Sequence, residues 1–172
     1  MQWENNVEPA VLFVCLGNIC RSPMAEGAFR AAAANAGLNI RTDSAGTASY
    51  HIGNPPDPRA IETARQFGVD ISGARGRQLA LQDFDEFTHI FALDTANLAG
   101  IAARAPRHTE AQIALLLDCV EGQEGASIAD PYYGDMADFE ECWNAIHSAV
   151  EKLVLAIAKE AKGRLGEGAP AS

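Results

Sequence analysis

The sequence predicts an α/β fold, a three-layer sandwich with a parallel sheet flanked by helices. Two observations carry this. Strand-like runs recur at Ala10–Cys15, Ile40–Ser44, His89–Leu93 and Ala111–Leu117, each of a length that suits a buried strand. Segments with helical spacing lie between and after them, and strands alternating with helices argue for a parallel sheet covered on both faces.

Taken in order, Ala10–Cys15 (AVLFVC) is apolar throughout, as suits a strand with no solvent face. Pro23–Ala36 follows as an alanine-rich helix that stops at Gly37. Ser22 is its expected N-cap and Pro23 its first helical residue. Arg59–Phe67 places Ala60, Ile61, Ala64 and Phe67 on one face and stops at Gly68. Ala96–Ala103 is a shorter helix. Phe139–Lys162 is the longest, with Phe139, Cys142, Trp143, Ile146, Val150, Leu153, Val154 and Ile157 forming an apolar stripe. Gly163–Ser172, rich in Gly, Ala and Pro, reads as a frayed tail and residues 1–8 as loose. That leaves one domain over 9–162, long enough for a sizeable core.

Hydrophobic residues make up 48% of the 172-residue chain and charged residues 21%, ordinary globular values. The net charge of −10 argues against broad nucleic-acid binding, which needs a basic face. No apolar run approaches membrane-spanning length, and no basic leader opens the chain. His51, His89, His108 and His147 show no metal-ligand spacing, so no metal and no cofactor are expected. The four cysteines are irregularly spaced and form no disulfide framework. Cys119, at the end of a strand run, and Cys142 read as core. A working thiol implies a reducing compartment, and the cytoplasm is expected.

The chemistry concentrates in Cys15-Leu16-Gly17-Asn18-Ile19-Cys20-Arg21-Ser22. This loop follows the first strand and opens a helix, whose unpaired first-turn amides favour an anion. A thiol at a helix start beside an arginine loses its proton more readily and becomes a nucleophile. Arg21 carries a planar fork that can grip two phosphate oxygens. Five residues separate Cys15 from Arg21, enough for the loop to curl its amides inward. Gly17 and Asn18 tolerate the dihedrals such a curl needs. The combination points to phosphoryl transfer through a cysteine. Ser22 can cap the helix, donate its hydroxyl to sulfur, or do both.

This loop, together with Asp130-Pro131-Tyr132-Tyr133-Gly134-Asp135, resembles the low-molecular-weight protein tyrosine phosphatases, whose signature is C-x5-R-[ST] near the N-terminus and D-P-Y-Y-G far downstream. The resemblance runs from about Val11 to about Leu155 and includes Asp43–Thr47, Pro56–Ala60, Arg77–Leu79 and Asp83–Leu98. It implies a four-stranded parallel sheet in the order 2-1-3-4 and hydrolysis of phosphotyrosine in proteins or peptides, with inorganic phosphate as product. Cys15 would attack phosphorus, Arg21 and the loop from Leu16 to Ser22 would bind the phosphate, and Asn18 would brace the loop, with Ser44 added by the resemblance. A phenolate has a conjugate acid of pKa about 10 and leaves poorly unless protonated. Asp130 is the expected acid, with Asp135 a weaker alternative that more readily supports the loop. Tyr50, Tyr132 and Tyr133 would wall a slot for a flat ring over a floor of Leu16 and Ile19. Related arginine phosphatases carry threonine where this chain has Ile19, and a branched apolar residue favours an aromatic ring. Cys20 either packs the helix start or captures an oxidised Cys15 as a disulfide.

Two departures stand out. Ser72-Gly73-Ala74-Arg75-Gly76-Arg77-Gln78 lacks the loop-bracing histidine that many relatives carry, with Arg75 nearby. Leu93 precedes Asp94 where methionine is common, while Asp94 itself remains as a supporting residue. A thiol-dependent arsenate reductase is the first rival reading, but it needs paired cysteines near the end of the third strand, and Ile90–Gly100 has none. A non-catalytic phosphopeptide-binding module, the second, would be expected to lack Cys15 or Asp130.

Overall fold

The computed structural model describes residues 8–167. Strands β1 (Ala10–Cys15), β2 (Arg41–Gly46), β3 (His89–Ala92) and β4 (Gln112–Leu115) form one parallel sheet in the order β2-β1-β3-β4. Helices α1 (Arg21–Asn35), α2 (Pro58–Gln66), α3 (Asp83–Glu86), α4 (Thr95–Arg104) and α5 (Met136–Glu167) cover it.

Alternation along β1 divides the core between two faces. Val11, Phe13 and Cys15 pack with residues of α1, α2 and α5. Ala10, Leu12 and Val14 pack with Phe84 of α3, Ile101 of α4 and Leu79. Every residue of β1 is buried, which explains its unbroken apolar run. Phe13 stands between Phe29 and Phe91, with ring centroids 5.6 and 6.1 Å away.

Local signals fix most element ends. Asp57 caps α2 by accepting the Arg59 N–H, and Asp94 caps α4 by accepting the Asn97 N–H at 2.6 Å. Gly37 and Gly68, with φ of +73° and +81°, close α1 and α2. Asp135 and Asp138 bond each other's backbone N–H at the start of α5.

Four expectations are corrected. Helix α1 begins at Arg21 with Cys20 in the cap position and no side-chain cap bond, so Ser22 is not the N-cap and Pro23 is not the first helical residue. Ser22 turns its hydroxyl toward Cys15 instead, and Pro23 sits within the first turn, where its missing N–H costs nothing. Strand β4 stops at Leu115, because the Asp118 carboxylate takes the Leu115 N–H at 3.1 Å and Leu116–Cys119 coil into a 3₁₀ turn. Cys119 therefore ends that turn, half-buried, rather than a strand. The frayed tail does not begin at Gly163, since α5 continues through Glu167; a single glycine costs a helix only about 1 kcal/mol. The rest of that tail, and residues 1–7 at the other end, lie outside the described residues. Among the described residues no helix is long and apolar enough to cross a membrane.

Candidate active site

The loop from Cys15 to Arg21 leaves the carboxyl end of β1, the strand flanked by β2 on one side and β3 on the other. Ligands of open parallel sheets bind at such a reversal of strand order. The loop is tied to the chain after β2, with the Thr47 and Ala48 N–H groups donating to the Cys15 and Leu16 carbonyls, both at 2.9 Å. With no side chain capping α1, its first-turn amides stay available to an anion.

Asn18 is the hub. It is buried and holds φ at +58°, and it is the sole non-glycine residue with positive φ among the described residues. Its Nδ2 donates to Ser22 Oγ at 2.7 Å and to Ser44 Oγ at 2.9 Å. Its Oδ1 accepts the Arg77 N–H at 3.0 Å. Ser44 Oγ donates onward to Glu26 Oε1 at 2.8 Å. Ser22 Oγ lies 3.0 Å from Cys15 Sγ. Because Asn18 donates to that oxygen, the serine's own O–H is free to point at sulfur. Near the position of the absent histidine, Arg75 turns back to the carbonyls of Ser72 and Ala74, and the group from this segment that reaches Asn18 is the Arg77 backbone N–H.

Arg21 is 2% exposed. Its Nη1 donates to Asp94 Oδ2 at 2.7 Å and to the Ile128 carbonyl at 2.8 Å. Its Nη2 stands 3.5 Å from Asp130 Oδ2. Burial works against the guanidinium charge, but Cys15, Asp94 and Asp130 outweigh it and hold the group more firmly protonated than usual. The Asp130 side chain is 40% exposed and accepts the Tyr132 N–H at 3.1 Å.

Cys15, Arg21 and Asp130 line one cavity of about 230 Å³ with Leu16, Gly17, Ile19, Cys20, Tyr50, Tyr132 and Tyr133. Tyr132 and Tyr133 meet edge-on, with centroids 4.9 Å apart. Asn18, Ser22 and Ser44 are buried behind this wall, and Asp94 grips the back of Arg21. Asp135 is engaged with Asp138 at the start of α5, so of the two carboxylates considered it is Asp130 that faces the cavity. Burial, reinforced by Asp57 and Cys15, pushes the Cys20 thiol far above its ordinary range.

Sequence reasoning missed three contributors. His51 lines the cavity and packs its ring against Gly17, where a Cβ would lie 2.9 Å from Cδ2; its adjacency to Tyr50 was the available signal. Glu26 was hidden inside the first helix. Arg77 ties Asp43 to Asp83 with bonds of 3.0 Å and orients the chain that reaches Asn18.

A profile described as low molecular weight phosphotyrosine protein phosphatase matches residues 10–163. The chain belongs to that family. It is 44% identical over 153 residues to the Bacillus subtilis low molecular weight protein-tyrosine-phosphatase YfkJ, covering 88% of this chain and 97% of the relative. The human low molecular weight phosphotyrosine protein phosphatase is 38% identical over 150 residues, 83% of this chain and 94% of that one. The crystal structure of YfkJ superposes with a TM-score of 0.83 at 43% identity over 91% of this chain and 98% of that chain. The YwlE arginine phosphatase has a TM-score of 0.81 at 24% identity, over 89% of this chain and 98% of that one, and shares the fold. As a family member the chain is a phosphatase.

Proposed function

We propose that this low molecular weight phosphatase hydrolyses phosphotyrosine in proteins or peptides through a cysteinyl-phosphate, with Cys15, Arg21 and Asp130 as the working groups. The Cys15 thiolate attacks phosphorus while the bond from phosphorus to the phenolic oxygen breaks. Asp130, in its protonated form, gives the leaving oxygen its proton. Arg21 and the loop amides hold the equatorial oxygens, where charge spreads in the transition state. Water then attacks the phosphoenzyme, Asp130 takes its proton, and the sulfur–phosphorus bond breaks to release inorganic phosphate. The Ser22 hydroxyl, donated to sulfur, eases that departure.

The observation that carries this reading is a single cavity in which Cys15 Sγ, braced by Ser22 Oγ at 3.0 Å, shares its walls with Arg21 and Asp130. The apolar Leu16 and Ile19 beside three tyrosines suit a flat aromatic ring rather than a guanidinium. All the groups needed are side chains and amides of this chain, so no cofactor enters. Dependence on a free thiol suits the cytoplasm. Cys20 serves as a reversible guard: peroxide oxidises Cys15 to a sulfenic acid, and the Cys20 thiol displaces water from it to form a disulfide.

The test uses substituted aryl phosphates. Cys15→Ser should abolish turnover yet keep vanadate binding. Asp130→Asn should lower kcat/KM for phenyl phosphate by about 10²- to 10⁴-fold and barely touch substrates with activated leaving groups. Equal slowing across leaving groups would remove Asp130 from the role of acid.

A further inference from the structure

The segment Asp57–Arg59 takes no part in that chemistry, yet it touches both loops that do. The Asp57 N–H donates to the Ile19 carbonyl at 2.8 Å, which fixes the segment to the phosphate loop. The Asp57 carboxylate receives Arg59 Nε on Oδ1 at 3.0 Å and Nη2 on Oδ2 at 2.9 Å. From there the guanidinium reaches across to the turn bearing Asp130. Its Nη1 donates to the Gly134 carbonyl and its Nη2 to the Tyr132 carbonyl, each at 2.9 Å. The Arg59 head also lies 4.5 Å over the Phe139 ring near the start of α5.

That turn has few other ties. Among the described residues, the Tyr132 N–H returns to Asp130 and the Gly134 N–H to Pro131. The Arg21–Asp130 contact is longer, at 3.5 Å. We propose that Arg59 is a positioning residue for Asp130: by bridging Asp57 to the carbonyls of Tyr132 and Gly134, it sets the distance between the proton donor and the phosphate loop. The geometry needs a planar fork with several donors, which lysine lacks. This role rests on the reading of Asp130 as general acid.

Arg59→Lys and Arg59→Gln are compared with the unmodified enzyme on phenyl phosphate and on 2,4-dinitrophenyl phosphate, whose leaving group needs no proton. Vanadate binding reports whether the phosphate loop is intact. For phenyl phosphate, kcat/KM should fall by about 10- to 100-fold, the scale of a displacement of about 1 Å. For the dinitrophenyl ester the loss should stay within about 3-fold, since proton donation contributes little there. Vanadate affinity should hold, and combining either substitution with Asp130→Asn should add nothing on phenyl phosphate. Equal losses on both esters, additive losses in the double variant, weakened vanadate binding or unchanged phenyl phosphate turnover would each overturn the proposal. Asp130→Asn measured alone separates the two ideas. If it shows no leaving-group dependence, the acid assignment fails and takes this one with it. If it shows that dependence and the Arg59 variants do not, the Arg59 role alone is wrong.

Discussion

Replacing Asn18 tests the claim that a buried network, rather than the loop's own preferences, holds the phosphate site in shape. Asn18→Ala deletes the bonds to Ser22, Ser44 and Arg77. The two hydroxyls keep other partners in Cys15 and Glu26, so the group left worst is the Arg77 N–H. At about 1 kcal/mol for each of the two bonds to hydroxyls and about 1–3 kcal/mol for the orphaned donor, the cost comes to about 3–5 kcal/mol. In a chain of this size each kcal/mol moves the unfolding midpoint by about 2–4 °C, so the variant should melt about 6–20 °C lower. The φ of +58° provides an internal control. Alanine pays a left-handed penalty of about 1 kcal/mol that glycine escapes, so Asn18→Gly should melt above Asn18→Ala by about 2–4 °C. Thermal unfolding followed by circular dichroism reads both, with vanadate affinity measured alongside. An alanine variant within about 2 °C of the parent, or a glycine variant below it, would mean that the network does not hold the loop.

Gly46→Ala should damage the site from behind, because a Cβ there would lie 2.7 Å from the Leu16 carbonyl oxygen and 3.2 Å from the Asn18 nitrogen. The expected cost is about 1–3 kcal/mol of stability and about a tenfold or greater fall in kcat/KM on phenyl phosphate; an unchanged kcat/KM would show that the loop can yield. Mild peroxide should give a Cys15–Cys20 disulfide by mass spectrometry, with activity restored by thiol. Sulfinic acid at Cys15 without that bond would refute the guard role of Cys20.

Much of this was legible because it depends on local chemistry. Strand β1 was readable to the residue, since burial on both faces leaves an uninterrupted apolar run. The ends of α1 and α2 were marked by glycines that must adopt positive φ. The start of α1 misled because Ser22 has the right chemistry for a cap but a competing bond to sulfur and to Asn18. Helix α3 is a single turn, too short for its period to register. At the site, Cys15, Arg21 and Asp130 were visible as types at telling positions. Glu26, Arg77 and His51 were not, because each earns its place through contacts made only in three dimensions: Glu26 with Ser44, Arg77 with Asn18, His51 against Gly17.

How a chain of net charge −10 holds a phosphate dianion follows from distance rather than from total charge. Remote carboxylates are screened within about 10 Å at 0.1 M salt, so the groups that touch the ligand decide. Two acidic groups stand at or just behind this site, and both contact Arg21. Their contacts are unequal. Asp94 holds Nη1 at 2.7 Å from a largely shielded position and is anchored by the Asn97 N–H, whereas Asp130 stands 3.5 Å from Nη2 with its side chain 40% exposed. On the proposed mechanism, an entering phosphate would therefore compete with Asp130 for the guanidinium and leave Asp94 in place. Asp94 would then orient Arg21 throughout, while Asp130, displaced from the arginine but held at the cavity's edge by its turn, would be free to exchange a proton with the substrate.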